Sequence, residues 1–149
     1  MKNKAKVVVI GGGVVGVSTL YHLAKKGWSD VVLCERKELT SGSTWHAAGL
    51  MPLFNMSYSV GQIHKYSVKF YQELEKETGQ DVGFREVSNI RLAENQDRMD
   101  EYRQYAGVAE TIGVKVNFLT PEEIQKAWPL CSIDGLVGAI QHPEDLSLI

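Results

Sequence analysis

Most of the features that would place a chain quickly are scarce here. There are 2 cysteines in 149 residues, Cys34 and Cys131, too few and too far apart for a disulfide framework or a thiolate metal site. Cys34 closes an apolar run and reads as a small buried residue, so a reduced, intracellular protein is expected. No apolar stretch approaches the roughly 20 residues of a membrane-spanning helix. The opening MKNKAK runs straight into VVVI and leaves no room for a signal or transit peptide. A cytoplasmic location is therefore expected, with the mitochondrial matrix as the alternative if a presequence is missing. Neither sign of charge dominates: 16 Lys and Arg against 18 Asp and Glu give a net charge of -2. That removes the basic footprint of nucleic-acid binding and the acidic tail of a solvating segment. The 4 histidines, at positions 22, 46, 64 and 142, share no metal-ligand spacing. No internal repeat or low-complexity segment occurs.

What is present is an alternation of apolar patterns. Residues 6–10, KVVVI, are a β-branched run bounded by glycines, expected to be a strand buried on both faces. Val14 to Lys26 has helical spacing of Val14, Val17, Leu20, Tyr21 and Ala24, with Gly27 as its stop. Val31 to Cys34 is a second buried strand, so a parallel βαβ crossover is expected. Residues 37–61 form a long connection rich in Ser, Thr and Gly, and a loop of this length in a compact domain is usually functional. A helix is expected from about Gln62 to Thr78, with Ile63, Tyr66, Phe70 and Leu74 on its core face and Gly79 at its end. Phe84 to Ala93 reads as strand, broken near Ser88–Asn89 into a hairpin. Asn95 to Ile112 reads as a charged helix, and Val114 to Phe118 as a strand. Thr120-Pro121-Glu122-Glu123 has the makings of a capped helix start, and Leu136 to Ile140 is a last strand.

Gly11, Gly13 and Gly16 give the spacing G-x-G-x-x-G between the first strand and the first helix. The first glycine permits the tight turn, the second lets backbone approach a pyrophosphate, and the third lets helix pack on strand. The helix's first N–H groups, near Val14 and Val15, would then face the anion at the positive end of the helix dipole. Glu35 ends the second strand, nineteen residues beyond Gly16, where a carboxylate can accept from both ribose hydroxyls and repel a 2′-phosphate. The competing reading is a structural glycine turn with a surface glutamate. Arg36 either covers the adenosine or is a solvated arginine. Strand, turn, helix and acid in register favour the dinucleotide, and with it a Rossmann-like α/β domain.

The next segment, TSGSTWHAAGL at 40–50, separates one dinucleotide from another. Gly42, Ser43 and Thr44 offer N–H groups and hydroxyls, a second cradle for phosphate or ribityl oxygens. Ala47, Ala48 and Gly49 are small enough for backbone to lie against a flat ring. The combination GGGVVGVSTLYHLAKKGW, then ER, then GSTWHAAGL resembles the dimethylglycine and sarcosine dehydrogenases, of the D-amino-acid-oxidase-like flavoproteins. FNMSYSVGQIHKYSVKFYQELE and LTPEEIQKAWPL are similar to theirs too, so the likeness covers essentially the whole chain. The glycine turn and Glu35 are shared by many flavoproteins, whereas WHAAGL is far more specific.

The resemblance implies an FAD-binding domain that is incomplete here, its dinucleotide core at about 4–60 and the beginning of an α+β substrate domain at about 80–149. It implies FAD contacts at Val14, Val15, Glu35, Arg36 and Gly42 through Leu50, with the flavin carried covalently on His46 through its 8α-methyl carbon. A neutral imidazole is a competent nucleophile for that carbon, and Trp45 beside it could screen the ring from water. The competing reading has His46 only hydrogen-bonding a noncovalent FAD. The other three histidines read as ordinary polar residues. The implied reaction is oxidative N-demethylation of a small N-methylated amino acid, with tetrahydrofolate as a one-carbon acceptor in full-length members and the electron acceptor left open. No Arg or Lys clamp for a substrate carboxylate can be placed in these residues, so catalytic residues are not assigned. A noncovalent amino-acid oxidase and a non-catalytic nucleotide-binding module are the alternatives. The end at HPEDLSLI, with no capping element after the last strand, is expected to mark a truncated enzyme.

Overall fold

The computed structural model describes residues 3–53 and 55–148, the last three as backbone. Met1, Lys2, Phe54 and Ile149, which the readings of MKNKAK, of the 37–61 connection and of the chain's last residues touch, lie outside the described residues. The chain divides into two compact units between Ala48 and Gly49.

The first unit is a βα start. β1 (Val7–Ile10) is followed by α1 (Val14–Lys25) and β2 (Val31–Cys34). The two strands pair in parallel, Val7 with Val31 through Ile10 with Cys34, the α/β arrangement expected from the sequence. Gly27, at φ +84°, lets the chain leave α1 for β2. The strands are not buried on both faces. Val7 and Val9 are half-buried, whereas Val8 is 53% and Ile10 87% exposed. The reason is local: α1 covers one face of a two-stranded sheet, and alternate side chains leave for the other. Cys34 is exposed rather than buried, because it ends the strand on that uncovered side. The connection after β2 holds a single turn of 3-10 helix, Ser43–His46.

In the second unit β3 (Leu50–Met51) precedes α2 (Tyr58–Thr78), β4 (Phe84–Glu86) and β5 (Asn89–Ala93). Then come α3 (Gln96–Ile112), β6 (Asn117–Leu119), α4 (Pro121–Ala127), β7 (Gly138–His142) and β8 (Leu146–Leu148). Two antiparallel three-stranded sheets result, ordered β3-β8-β4 and β5-β7-β6. The expected break in 84–93 is present, but its two strands are not a hairpin: β4 pairs with β8 and β5 with β7. Helix α2 begins a turn earlier than expected because Ser57 caps it, its hydroxyl accepting from Val60 N. The strand expected from Val114 starts only at Asn117. Val114 instead closes α3, its N–H reaching the Ala109 carbonyl at 2.9 Å behind left-handed Gly113. The capping box of α4 is complete, Thr120 and Glu123 exchanging side-chain and backbone bonds.

The face of α2 that packs is not the aromatic stripe. Gly61 and Val68 are buried, whereas Ile63 is 63% and Tyr66 56% exposed. Gly61 sets this rotation, since a Cβ there would collide with Ile112 of α3. The core gathers Val68, Ala93, Met99, Tyr102, Tyr105, Ala109, Ile112 and Ile140.

His142, read from sequence as an ordinary polar residue, is fully buried, edge-on to Tyr105 at 5.4 Å. Burial first, and the nearby Arg91 second, push its imidazole down to about 4. Buried Asp145 shifts the other way, its carboxyl raised by burial although Oδ1 accepts the Leu53 N–H at 2.9 Å. For His142 the unfolded chain takes up a proton that the folded one refuses, so its contribution is lost as pH falls from about 6.5 towards 4. For Asp145 the folded chain holds its proton more tightly, so acid relieves its cost and the slope is opposite. His142→Phe in the intact protein should therefore lose less stability than the parent across that window, by at most about 1.4 kcal/mol per pH unit. Denaturant unfolding at several pH values measures this, and parallel profiles would contradict the assignment.

Candidate cofactor site

The turn between β1 and α1 is shaped by its glycines. Gly11 sits at φ +103°, a left-handed conformation, and its N–H bonds the Cys34 carbonyl at 2.8 Å, tying the turn to the end of β2. A Cβ on Gly16 would overlap the Gly11 carbonyl oxygen, so the helix can approach the turn only with glycine there. Gly13 is the N-cap of α1 and provides no side-chain cap.

Glu35 reaches back onto this turn. Its Oε2 accepts from Gly12 N at 2.6 Å, and Oε1 from Lys37 N at 3.0 Å. The Gly12 N–H above all, then that of Lys37, holds the carboxyl below the usual carboxylate range, so an anion is fixed at the tip of β2. An ionised carboxylate has about four acceptor positions, and two backbone bonds leave room for hydroxyl donors. Arg36 beside it is exposed.

The connection 37–48 folds over the same turn. Thr44 Oγ1 accepts the Val14 N–H at 2.9 Å; one of the helix-end donors that the sequence assigns to an anion is thus engaged by this hydroxyl. Thr40 N donates to the Gly12 carbonyl at 2.9 Å, and Trp45 N to the Thr40 carbonyl at 3.2 Å. Thr40 does this at φ 68°, a strained conformation for a β-branched residue, costing about 1–3 kcal/mol. A cleft of about 620 Å³ results, lined by Gly11, Gly13, Val14, Val15, Gly16, Glu35, Arg36, Gly42, Ser43, Thr44 and Ala47. Eleven of the sixteen residues singled out by sequence therefore share one cleft.

Trp45 and His46 do not line it. They end the 3-10 turn with ring centroids 5.4 Å apart, and among the described residues His46 is left exposed, with Trp45 70% exposed beside it. Ala48 is exposed as well, and Gly49, at φ +73°, and Leu50, in β3, belong to the second unit. Thr40 and Gly12 were missed from sequence. A left-handed threonine leaves no signal, because glycine or asparagine is what that conformation favours. Gly12 falls between the two glycines that the motif counts, yet its N–H and C=O are both bonded across the turn.

Comparison with known proteins gives the family. Residues 6–148 match the family model described as DAO, FAD dependent oxidoreductase. The chain belongs to that family. It is 44% identical over 144 residues to mitochondrial dimethylglycine dehydrogenase of Rattus norvegicus, a match covering 97% of this chain and 17% of that protein. Human mitochondrial sarcosine dehydrogenase is 40% identical over 146 residues, covering 97% and 16%. Among solved structures, L-proline dehydrogenase from P. horikoshii superposes with a TM-score of 0.90 at 26% identity, over 99% of this chain and 39% of that one. The chain thus spans about a sixth of the length of these two curated relatives.

The chemistry of the cleft is compatible with FAD: glycine backbone without side chains in the way, hydroxyls and N–H groups along the wall, and an ionised acid with open acceptor positions. Gly16→Ala should force the turn open, overpacking of this kind costing about 1–3 kcal/mol. In the His46→Ala background, where only noncovalent contacts hold the flavin, the amount retained per protein after gel filtration should fall roughly tenfold or more. Parental retention would show that the turn does not hold the cofactor.

Proposed function

We propose that the intact protein is an FAD-dependent amine dehydrogenase that oxidatively N-demethylates a small N-methylated amino acid of the dimethylglycine or sarcosine class, with the flavin attached covalently to His46. The observation that carries this reading is the placement of His46 on a turn fastened, through Thr44, to a dinucleotide-binding turn, in a chain similar to two dehydrogenases named for those substrates.

FAD, when bound, supplies the two-electron acceptor for the N-methyl C–H bond. The residues of this chain bind and orient it. Gly11, Gly13 and Gly16 give its phosphates room, Glu35 accepts from the ribose, and Ser43 and Thr44 supply hydroxyls. Val15, Arg36, Gly42 and Ala47 complete the wall, and Trp45 and Ala48 are assigned to the flavin end. The oxidised substrate leaves as an iminium that water hydrolyses, or whose one-carbon unit passes to tetrahydrofolate in a protein that carries a folate site. Residues from about 80 to 149, which fall within the second unit, are proposed as the start of the substrate domain. Among the described residues no helix is long and apolar enough to cross a membrane. Location in the cytoplasm is our proposal, alongside relatives named as mitochondrial.

Two measurements on the intact protein test this. Anaerobic addition of dimethylglycine or sarcosine should bleach the flavin absorbance, and no bleaching with either amine would refute the substrate class. His46→Ala should fold and bind FAD yet release all flavin on acid precipitation, whereas the parent pellet stays yellow and fluorescent. A colourless parent pellet points to a noncovalent flavoenzyme, and a yellow variant pellet to another attachment residue.

A further inference from the structure

The Thr44–Val14 hydrogen bond joins two pieces of chain thirty residues apart. One piece is the first turn of α1, whose N-cap, Gly13, brings no side chain of its own. The other is the 3-10 turn Ser43–His46. The Thr44 hydroxyl thus does for α1 what a local Ser or Asp cap normally does, and does it from the turn that carries His46. Half-buried Thr44 is two residues from exposed His46, so whatever fixes the one restricts the other.

Three further observations give this contact the character of a latch. Thr40 N donates to the Gly12 carbonyl, and the Thr40 carbonyl receives Trp45 N, which closes the loop onto the same turn. Thr40 keeps both bonds in a left-handed conformation that a threonine avoids, so the docking outweighs the strain. Gly13 has no Cβ where one would stand 2.9 Å from Thr44 Oγ1. The second glycine of the motif therefore makes room for the hydroxyl as well as for a ligand.

We propose that Thr44 is the positioning residue that couples the phosphate-binding turn to His46, holding the cofactor's phosphate end and its point of attachment in one register. The hydroxyl accepts from Val14, so its own hydrogen remains available to an oxygen in the cleft that Thr44 lines. Occupation of the cleft then tightens the turn at which the carbon–nitrogen bond forms. This rests on the reading of His46 as the attachment residue. In that step a His46 ring nitrogen bonds the 8α-methyl carbon, one proton leaves the methyl group and one leaves the imidazole. The two electrons released reduce the isoalloxazine, and dissolved dioxygen takes them up.

The test compares Thr44→Val and Thr44→Ser in the intact protein, prepared flavin-free and mixed aerobically with saturating FAD. Acid-stable flavin fluorescence gives the rate of bond formation, and a titration in the His46→Ala background gives noncovalent FAD affinity. Thr44→Val should form the bond roughly fivefold more slowly or worse, the range that loss of one net hydrogen bond implies, and should bind FAD more weakly. Thr44→Ser, which keeps the hydroxyl, should stay within about twofold of the parent on both readings. A Thr44→Val protein that forms the bond at the parental rate overturns the proposal. So does a Thr44→Ser protein as slow as Thr44→Val, since the hydroxyl would then not be the working group. A parent that never forms acid-stable flavin overturns the attachment reading and this proposal together. That outcome is visible without either variant, so the two failures are distinguishable.

Discussion

The first unit depends on one crowded piece of backbone, the turn from Gly11 to Val14. Its N–H and C=O groups are bonded on three sides: Gly11 to the end of β2, Gly12 to Glu35 and Thr40, Val14 to Thr44. Such proximity is possible only because the turn lacks side chains where the neighbours arrive. A Cβ on Gly16 would strike the turn itself, and one on Gly13 would press on the Thr44 hydroxyl. Glycine is normally a liability beside a helix, and here it is what allows helix, acid and loop to converge on four residues.

That convergence explains why Glu35 and the 40–47 loop form a site. The depressed carboxyl of Glu35 is fixed by the turn's own amide, so the acceptor that we propose for a ribose is held in place by the protein itself. The loop is held by Thr40 and Thr44 rather than by apolar packing; Leu39 and Trp45 are largely exposed. A surface loop held in this way can present residues without burying them, as it does with His46.

Much of this was legible in the sequence because it follows from short-range chemistry. The strand–turn–helix–strand order, the acid at the end of β2 and the capping box of α4 each have local signatures, and all three are present. The misreadings share a different cause, since each depended on a partner distant in sequence. Burial of both faces of β1 assumed a covering layer that this unit does not have. The α2 stripe of Ile63 and Tyr66 reads as core because it is apolar, whereas contact with α3 is decided by absent atoms at Gly61. His142 looks ordinary next to a proline, and it is the pairing of β7 with β5 and the packing of Tyr105 from α3 against its ring that put it in the interior. The role of Thr44 as a cap for α1 could not be read at all, because caps are sought within a few residues of the helix they serve.

The central claim is that the Gly11–Gly16 turn with Glu35 takes the adenosine half of FAD. The most direct measurement is a titration of flavin-free intact protein carrying His46→Ala with FAD, FMN and riboflavin, followed by flavin fluorescence. If the claim holds, FAD binds far more tightly than the other two, because only FAD brings a ribose to Glu35 and a pyrophosphate to the glycine turn. FMN bound as tightly as FAD would contradict it, leaving the turn a structural element and Glu35 no more than its brace.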